Sequence, residues 1–111
     1  MSKFDEKLEI YLNEFQKLKV SVDKDLLTKV TRSLGPSIYN NDAAKVAGSD
    51  PEELKRIKTN FLIQKLGMKD SSTLDAAIES VMETMGRSNR NKYRAMVYYL
   101  LVVKLGKQMH Y

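Results

Sequence analysis

The residues best suited to bind a ligand lie together in one short basic segment, residues 86–94. Four cations occur within eight residues there, and a serine and two asparagines lie between them. Guanidinium groups bind phosphate and carboxylate through paired hydrogen bonds, and Ser and Asn supply further donors. We therefore interpret this segment as a candidate anion-binding site, formed by Arg87, Ser88, Asn89, Arg90, Lys92 and Arg94.

The expected start of the last helix makes these cations unusual. We predict that this helix begins near Ser88, Asn89 or Asn91 and runs to about Leu105, before Gly106. Cations in a first helical turn cost about 0.3–1 kcal/mol each, because the helix N-terminus is itself positive. A bound anion would offset that cost and would also meet the helix amides. Two alternatives stay open: the cations pair with acids from other helices, or the helix starts a turn later.

The charge distribution also separates this end of the chain from the rest. The net charge is +5, but residues 1–85 hold 13 Lys and Arg against 14 Asp and Glu. The last 26 residues hold six cations and no acid. Such asymmetry is typical of chains with an acidic or polyanionic partner. A nucleic-acid backbone is the narrower version of this hypothesis, since Tyr93, Tyr98 and Tyr99 lie close to the cations. Core packing is the competing role for those tyrosines.

Catalysis and metal binding have little support in the sequence. There is no cysteine, and the one histidine, His110, lies beside the C-terminal residue, where positioning is poor. We find neither a GxSxG nor a P-loop motif. Helix capping accounts for most of the acids that a metal would use, and their spacing matches no calcium loop; these acids are Asp42, Asp50, Glu52 and Glu53. We predict no catalytic residue, no metal and no cofactor.

The alternative function is a protein–protein adaptor, or a small homo-oligomer without a ligand pocket. An exposed apolar patch would be sought first at Tyr11, Phe15, Met82 and Met85, although core packing would explain the same residues. The longest apolar run, residues 95–103, is nine residues long, whereas a membrane-spanning helix needs about 20. We predict that the chain does not cross a membrane and resides in the cytoplasm.

Hydrophobic periodicity and end signals predict the helices that carry these residues. Apolar residues spaced by three and four begin at Phe4. A second such stripe follows an N-cap predicted at Asp23 and stops at Gly35. A third helix starts at Asp50 with Pro51 at its first position and stops at Gly67. A fourth begins at 72–75, where Asp75 occupies a capping-box position, and ends at Gly86.

These elements predict an all-α fold with one domain over residues 1–111. It contains five main helices and a short helical turn near 43–47, whereas residues 36–42 form an ordered loop. The last helix is apolar on every side through residues 95–103. A helix without a polar face is normally surrounded by other helices, so we place it at the centre of the bundle.

Several motifs in this order also resemble a known family. They are LGPSIYN (34–40), GSDPEEL (48–54), NFL (60–62), KLG (65–67), GRSNRNKYR (86–94) and YYLL (98–101). Together they resemble a family of short bacterial proteins catalogued only as a domain of unknown function, and the resemblance covers nearly the whole chain. It implies an all-helical fold of this length. It implies no activity, ligand or catalytic residue.

Overall fold

The computed structural model describes residues 2–111, and within that range the chain folds as an all-helical bundle. The five α-helices are α1 (Lys3–Lys17), α2 (Lys24–Ser33), α3 (Pro51–Arg56), α4 (Ser72–Met85) and α5 (Arg94–Lys104). Helix α3 continues without a break as a π-helix (Ile57–Lys65), and two short 3-10 helices span Gly35–Tyr39 and Gln108–His110. The predicted all-α fold with five main helices is confirmed.

Local capping sets two of the predicted helix starts. The Asp23 carboxylate accepts hydrogen bonds from the amides of Asp25 and Leu26 at the start of α2. The Asp50 carboxylate accepts from the amide of Glu52 at the start of α3, where Pro51 occupies the first position. Each carboxylate satisfies amides that have no partner within their own helix, so these boundaries are confirmed.

The end of α1 contains the one non-glycine residue with a left-handed backbone among those described, Lys19, with φ of 59°. Its amide donates to the Gln16 carbonyl, and the Val20 amide donates to the Phe15 carbonyl. This is the turn that normally carries glycine after a helix, because a Cβ atom is disfavoured there. Lys19 therefore holds this turn at an energetic cost.

Replacing Lys19 with Gly is expected to raise the free energy of unfolding by about 1 kcal/mol, because glycine adopts this conformation without strain. The measurement is urea denaturation. The control is Lys17→Gly, two residues earlier and within α1, which is expected to lower stability by about 0.5–1 kcal/mol. Destabilisation by both substitutions would contradict the assignment of strain to Lys19.

Helix α5 lies at the centre of the bundle, as the sequence predicts. It packs against α1, α2 and α4, and Tyr98 stacks on Phe61 of the π-helix with ring centroids 3.9 Å apart. Its enclosure is not complete, since Tyr98 and Leu100 are half-buried and Val103 is 41% exposed. The buried residues of α5 are Ala95, Met96, Val97, Tyr99, Leu101 and Val102.

The side chains considered for an exposed apolar patch are all in the core instead. Tyr11, Phe15, Met82 and Met85 have no exposed surface, because α1 and α4 turn these faces towards α5 and the other core residues. These residues therefore cannot form an adaptor surface. The large apolar residues that are exposed within residues 2–111 are Tyr39, Val103 and Met109.

The predicted helical turn near residues 43–47 is wrong, and the short helix lies earlier, at Gly35–Tyr39. The Asn40 side chain accepts from the amides of Asp42 and Ala43 and forms a turn there. The next carbonyl, that of Ala44, accepts from the Arg94 amide. Pairing with the start of α5 thus replaces helical hydrogen bonding in residues 43–47.

Helix α4 begins within the predicted range, at Ser72, but the predicted capping box does not form. The capping residue is Ser71, and its side chain makes no capping hydrogen bond. Asp75 accepts from the Lys58 ammonium at 2.9 Å instead of closing a capping box. Lys58 also binds Asp70 at 2.7 Å, so this lysine ties α4 and the loop before it to the π-helix.

The π-helix is a feature that the sequence analysis did not anticipate. Its backbone winds more widely than an α-helix, and the Leu66 amide at its end donates to the Phe61 carbonyl five residues earlier. Ile57, Phe61 and Leu62 are buried from this segment. Phe61 and Leu62, which are adjacent in sequence, both lie in the core.

No helix in residues 2–111 has both the length and the apolar composition needed to span a lipid bilayer.

Candidate anion-binding site

The first part of the basic segment forms a cap on the C-terminus of α4. Helix α4 ends at Gly86, whose φ is 97°. The Asn89 side-chain amide then folds back and donates to the Met85 carbonyl at 2.8 Å. Its side-chain oxygen accepts from the Asn91 amide, also at 2.8 Å. Residues 86–91 are therefore an ordered loop that satisfies the end of α4.

This cap corrects the predicted start of the last helix. Helix α5 begins at Arg94, with Tyr93 as its N-cap, rather than at Ser88, Asn89 or Asn91. Asn89 caps the preceding helix instead of the following one. Arg87, Arg90 and Lys92 consequently follow the negative C-terminal end of α4, where cations are favourable. The electrostatic mismatch predicted for these three residues does not exist.

Lys92 is the buried member of the segment, with 4% of its surface exposed. Its ammonium group donates to the carbonyl oxygens of Arg87 at 3.1 Å and Asn89 at 2.6 Å. No carboxylate within residues 2–111 forms an ion pair with it. Burial, together with the nearby charge of Arg87, lowers the pKa of Lys92. Lys92 therefore acts as an internal clamp on the loop and is not available to a ligand.

Gly48 allows the Lys92 side chain to reach this position. A Cβ atom at residue 48 would lie 2.9 Å from the Cδ atom of Lys92 and 3.1 Å from the sulfur of Met82. Both distances are shorter than normal contacts between nonbonded atoms. The loop that contains Gly48 and the aliphatic part of Lys92 are thus packed directly against each other.

Arg94 is held in a buried ion pair with a distant part of the chain. Its guanidinium binds the Glu53 carboxylate of α3 at 2.5 Å, and it also donates to the Ala43 carbonyl at 2.7 Å and to the Tyr98 hydroxyl at 3.1 Å. Although burial opposes the charge, the hydrogen bond with Glu53 and the nearby Tyr98 raise the pKa of Arg94. Arg94 joins α3, α5 and the loop before α3.

Arg87 is half exposed and pairs with acids of α4. Its guanidinium lies 2.5 Å from a Glu79 oxygen and 3.6 Å from a Glu83 oxygen. The hydrogen bond with Glu79 raises the pKa of Arg87 despite partial desolvation. Its charge is therefore largely compensated by the chain itself.

Ser88 and Arg90 are the members of the predicted site whose side chains remain at the surface without such a role. Both residues are exposed, and Arg90 has no ion-pair partner within the described chain. The first amide of α5 is also engaged, because the Arg94 amide donates to the Ala44 carbonyl at 2.7 Å. The structure thus brings the six predicted residues into one loop region, but four of them have structural partners.

A second loop adds residues that the sequence analysis missed. The Val46 amide donates to the Lys92 carbonyl at 2.7 Å, which together with the Arg94–Ala44 bond pairs Lys45 with Tyr93. The Lys45 ammonium lies 5.5 Å from the centre of the Tyr93 ring, and no carboxylate pairs with it among residues 2–111. A lysine 48 residues before Tyr93 in sequence carries no local signal of this proximity.

An exposed tyrosine completes this surface. Tyr93 lies against Tyr11, with ring centroids 5.4 Å apart, and the phenol of Tyr39 is also close enough to Tyr11 to raise its pKa. Tyr39 is 44% exposed and lies at the end of the first 3-10 helix. We define the two-loop surface as the exposed residues Tyr39, Lys45, Ser88 and Arg90 together with the half-buried Tyr93.

The acids considered for a metal site are dispersed or already engaged. Asp50 caps α3, and Glu53 binds Arg94 and Arg56. No group of three His, Asp or Glu side chains in the described part of the chain is arranged to hold a metal ion. An open groove of about 390 Å³ between α3 and α4 is lined by residues of both charge signs, including Lys55, Lys58 and Glu79.

Comparison with known families gives a match over residues 10–109, which is nearly the whole chain, to the family described as "Protein of unknown function (DUF2853)". The chain belongs to this family. The resemblance found in the sequence motifs is thereby confirmed, and the family description assigns no activity. Comparison with curated proteins gives no significant match.

Proposed function

We propose that this member of the DUF2853 family is a non-enzymatic binding module whose two-loop surface receives an anionic group. The observation that carries the proposal is the state of Arg90 and Lys45. Both are exposed cations without an ion-pair partner in residues 2–111, on two loops that backbone hydrogen bonds join. Exposed guanidinium and ammonium groups with free donors are suited to phosphate or carboxylate.

The six residues of the basic segment have different roles in this proposal. Arg90 and Ser88 contact the anion directly, and Arg87 contributes the part of its charge that Glu79 and Glu83 leave uncompensated. Asn89, Lys92 and Arg94 hold the loop in place through their hydrogen bonds. An ordered loop loses little conformational freedom on binding, and this increases the affinity available from a few contacts.

The proposal extends to the setting of the protein. A bacterial cytoplasmic location agrees with the sequence, which has no cysteine and so needs no oxidising compartment. The family resemblance to short bacterial proteins supports the same setting. A binding role without catalysis agrees with the engagement of Lys92, Arg94 and Glu53 in structural contacts.

Titration of the ¹⁵N-labelled protein with tripolyphosphate tests this function. We expect amide shifts concentrated in residues 86–91 and at Lys45, and a binding constant about 5-fold weaker for Arg90→Gln, which corresponds to about 1 kcal/mol. The melting temperature of this variant is expected to equal that of the wild type, because Arg90 is exposed and unpaired in the described chain.

Lys104→Gln is the matched control, since it removes the same charge at the C-terminal end of α5, about 15 Å along the helix from Arg94. It is expected to leave the shifts at residues 86–91 unchanged. Equal weakening by both substitutions, or shifts spread over all surface lysines, would show that binding is only a response to net charge and would refute the site.

A further inference from the structure

We infer that the two-loop surface binds single-stranded nucleic acid, with a base stacked on the Tyr39 ring and backbone phosphates against Lys45 and Arg90. This inference rests on the proposed function, because it names the class of anion that the surface receives. It depends on an aromatic ring and two unpaired cations on neighbouring loops, whereas the proposed function depends on the cations alone.

The exposure of Tyr39 is the first observation. The other Phe and Tyr side chains of the described chain are buried or half-buried: Tyr98 stacks on Phe61, and Tyr99 is 3% exposed with its hydroxyl accepting from the Asp23 amide. Of these two tyrosines, both predicted as candidates for nucleic-acid binding, Tyr99 is a core residue and Tyr98 is half-buried with its ring face covered by Phe61. Tyr39 is different because nearly half of its surface faces solvent.

The second observation is what surrounds Tyr39. The carbonyl of Asn40, the residue after Tyr39, accepts at 2.8 Å from the amide of Ala44, the residue before Lys45, and this turn keeps Tyr39 and Lys45 close together. Tyr93 packs on the buried Tyr11 from the neighbouring loop. The Lys45 ammonium covers the Tyr93 ring, so a cation is held beside this group of aromatic residues. An exposed aromatic ring next to unpaired cations is the combination by which proteins bind single strands without reading their sequence.

A single strand fits this surface better than a duplex. Stacking on a protein ring needs a base whose face is free, and base pairs in a duplex already cover both faces. The two-loop surface also lacks a helix that could enter the major groove of a duplex, since both loops are irregular and α5 is largely buried. Asp42 is the one acid within residues 39–49; it is exposed and will moderate the affinity.

The test compares ligands that share charge but differ in bases. Fluorescence anisotropy near 50 mM salt measures the binding of three ligands: an oligothymidylate and an oligouridylate of about 12 nucleotides, and a duplex of the same length. Polyphosphate of equal chain length is then added as a competitor. We expect the single strands to bind more tightly than the duplex and the polyphosphate. Arg90→Gln is expected to weaken binding of both the single strands and polyphosphate.

Tyr39 variants separate stacking from charge. Tyr39→Leu is expected to lower the affinity for the single strands about 10-fold and to leave the affinity for polyphosphate unchanged. Tyr39→Phe is expected to retain the wild-type affinity for both. Circular dichroism checks that each variant is folded. Equal binding of single strands and polyphosphate, unaffected by Tyr39→Leu, would overturn this inference and leave the proposed function intact. Absence of binding to every one of these ligands would overturn both.

Discussion

Replacing Arg94 with Met is expected to lower the free energy of unfolding by about 3–5 kcal/mol, the usual cost of removing one partner from a buried ion pair. The substitution leaves Glu53, which is 7% exposed, with Arg56 alone, and it removes the donors to the Ala43 carbonyl and the Tyr98 hydroxyl. Urea denaturation measures the change. An unchanged m-value would show that the variant and the wild type expose the same amount of surface on unfolding.

Arg56→Gln provides the matched control, because Arg56 binds the same carboxylate from the surface with its side chain 58% exposed. Exposed pairs contribute about 0–1 kcal/mol, so we expect a correspondingly small loss. The double substitution Glu53→Met with Arg94→Met should recover much of the stability, since no buried charge is then left alone. Losses of similar size from Arg94→Met and Arg56→Gln would refute the structural role of the buried pair.

Raising the pH from 10 to 12 is expected to remove about 2 kcal/mol of stability through Tyr11 alone, because the rest of the titration falls outside this interval. Burial, and then the nearby phenols of Tyr93 and Tyr39, raise the pKa of Tyr11 from 10.0 to about 12. Above pH 10 the unfolded chain releases this proton while the folded chain keeps it, so stability falls as pH rises. A difference of about two pKa units corresponds to roughly 2.7 kcal/mol.

The variant Tyr11→Phe isolates this effect from every other group that titrates at high pH. Its stability is measured by urea denaturation beside that of the wild type at several pH values between 9 and 12. We expect the two proteins to converge or cross as the wild type loses the contribution of the neutral phenol. Parallel pH profiles would mean that Tyr11 ionises equally in the folded and unfolded states.

The helix boundaries that the sequence predicts correctly are those set by neighbouring residues. Asp50 and Pro51 set the start of α3, and Asp23 sets the start of α2. In both helices the capping carboxylate and the amides that it accepts from are at most three residues apart. The apolar stripe beginning at Phe4 and the fully apolar run in α5 likewise report on local periodicity and burial. Such features can be predicted because the groups that satisfy the backbone are close in sequence.

The errors arise where a residue has two possible partners or a distant one. Asn89 is able to cap a helix on either side, and its sequence context does not show that it binds back to Met85. The partner of Arg94 is Glu53, 41 residues earlier, and Lys45 reaches Tyr93 through loop pairing. The sequence therefore indicates the basic segment but not the partners of its residues, and it carries no local signal that Lys45 lies beside Tyr93.

The wide winding of residues 57–65 has a consequence for comparing relatives of this chain. A π-helix has more residues per turn than an α-helix. This stretch therefore contains more residues than the same number of α-helical turns would need. A relative shorter by one residue here can close to α-helical winding and still supply equivalents of Ile57, Phe61 and Leu66 to the core. Gaps between relatives should therefore be accepted inside this helix, because an ungapped alignment would assign inward positions to the solvent face.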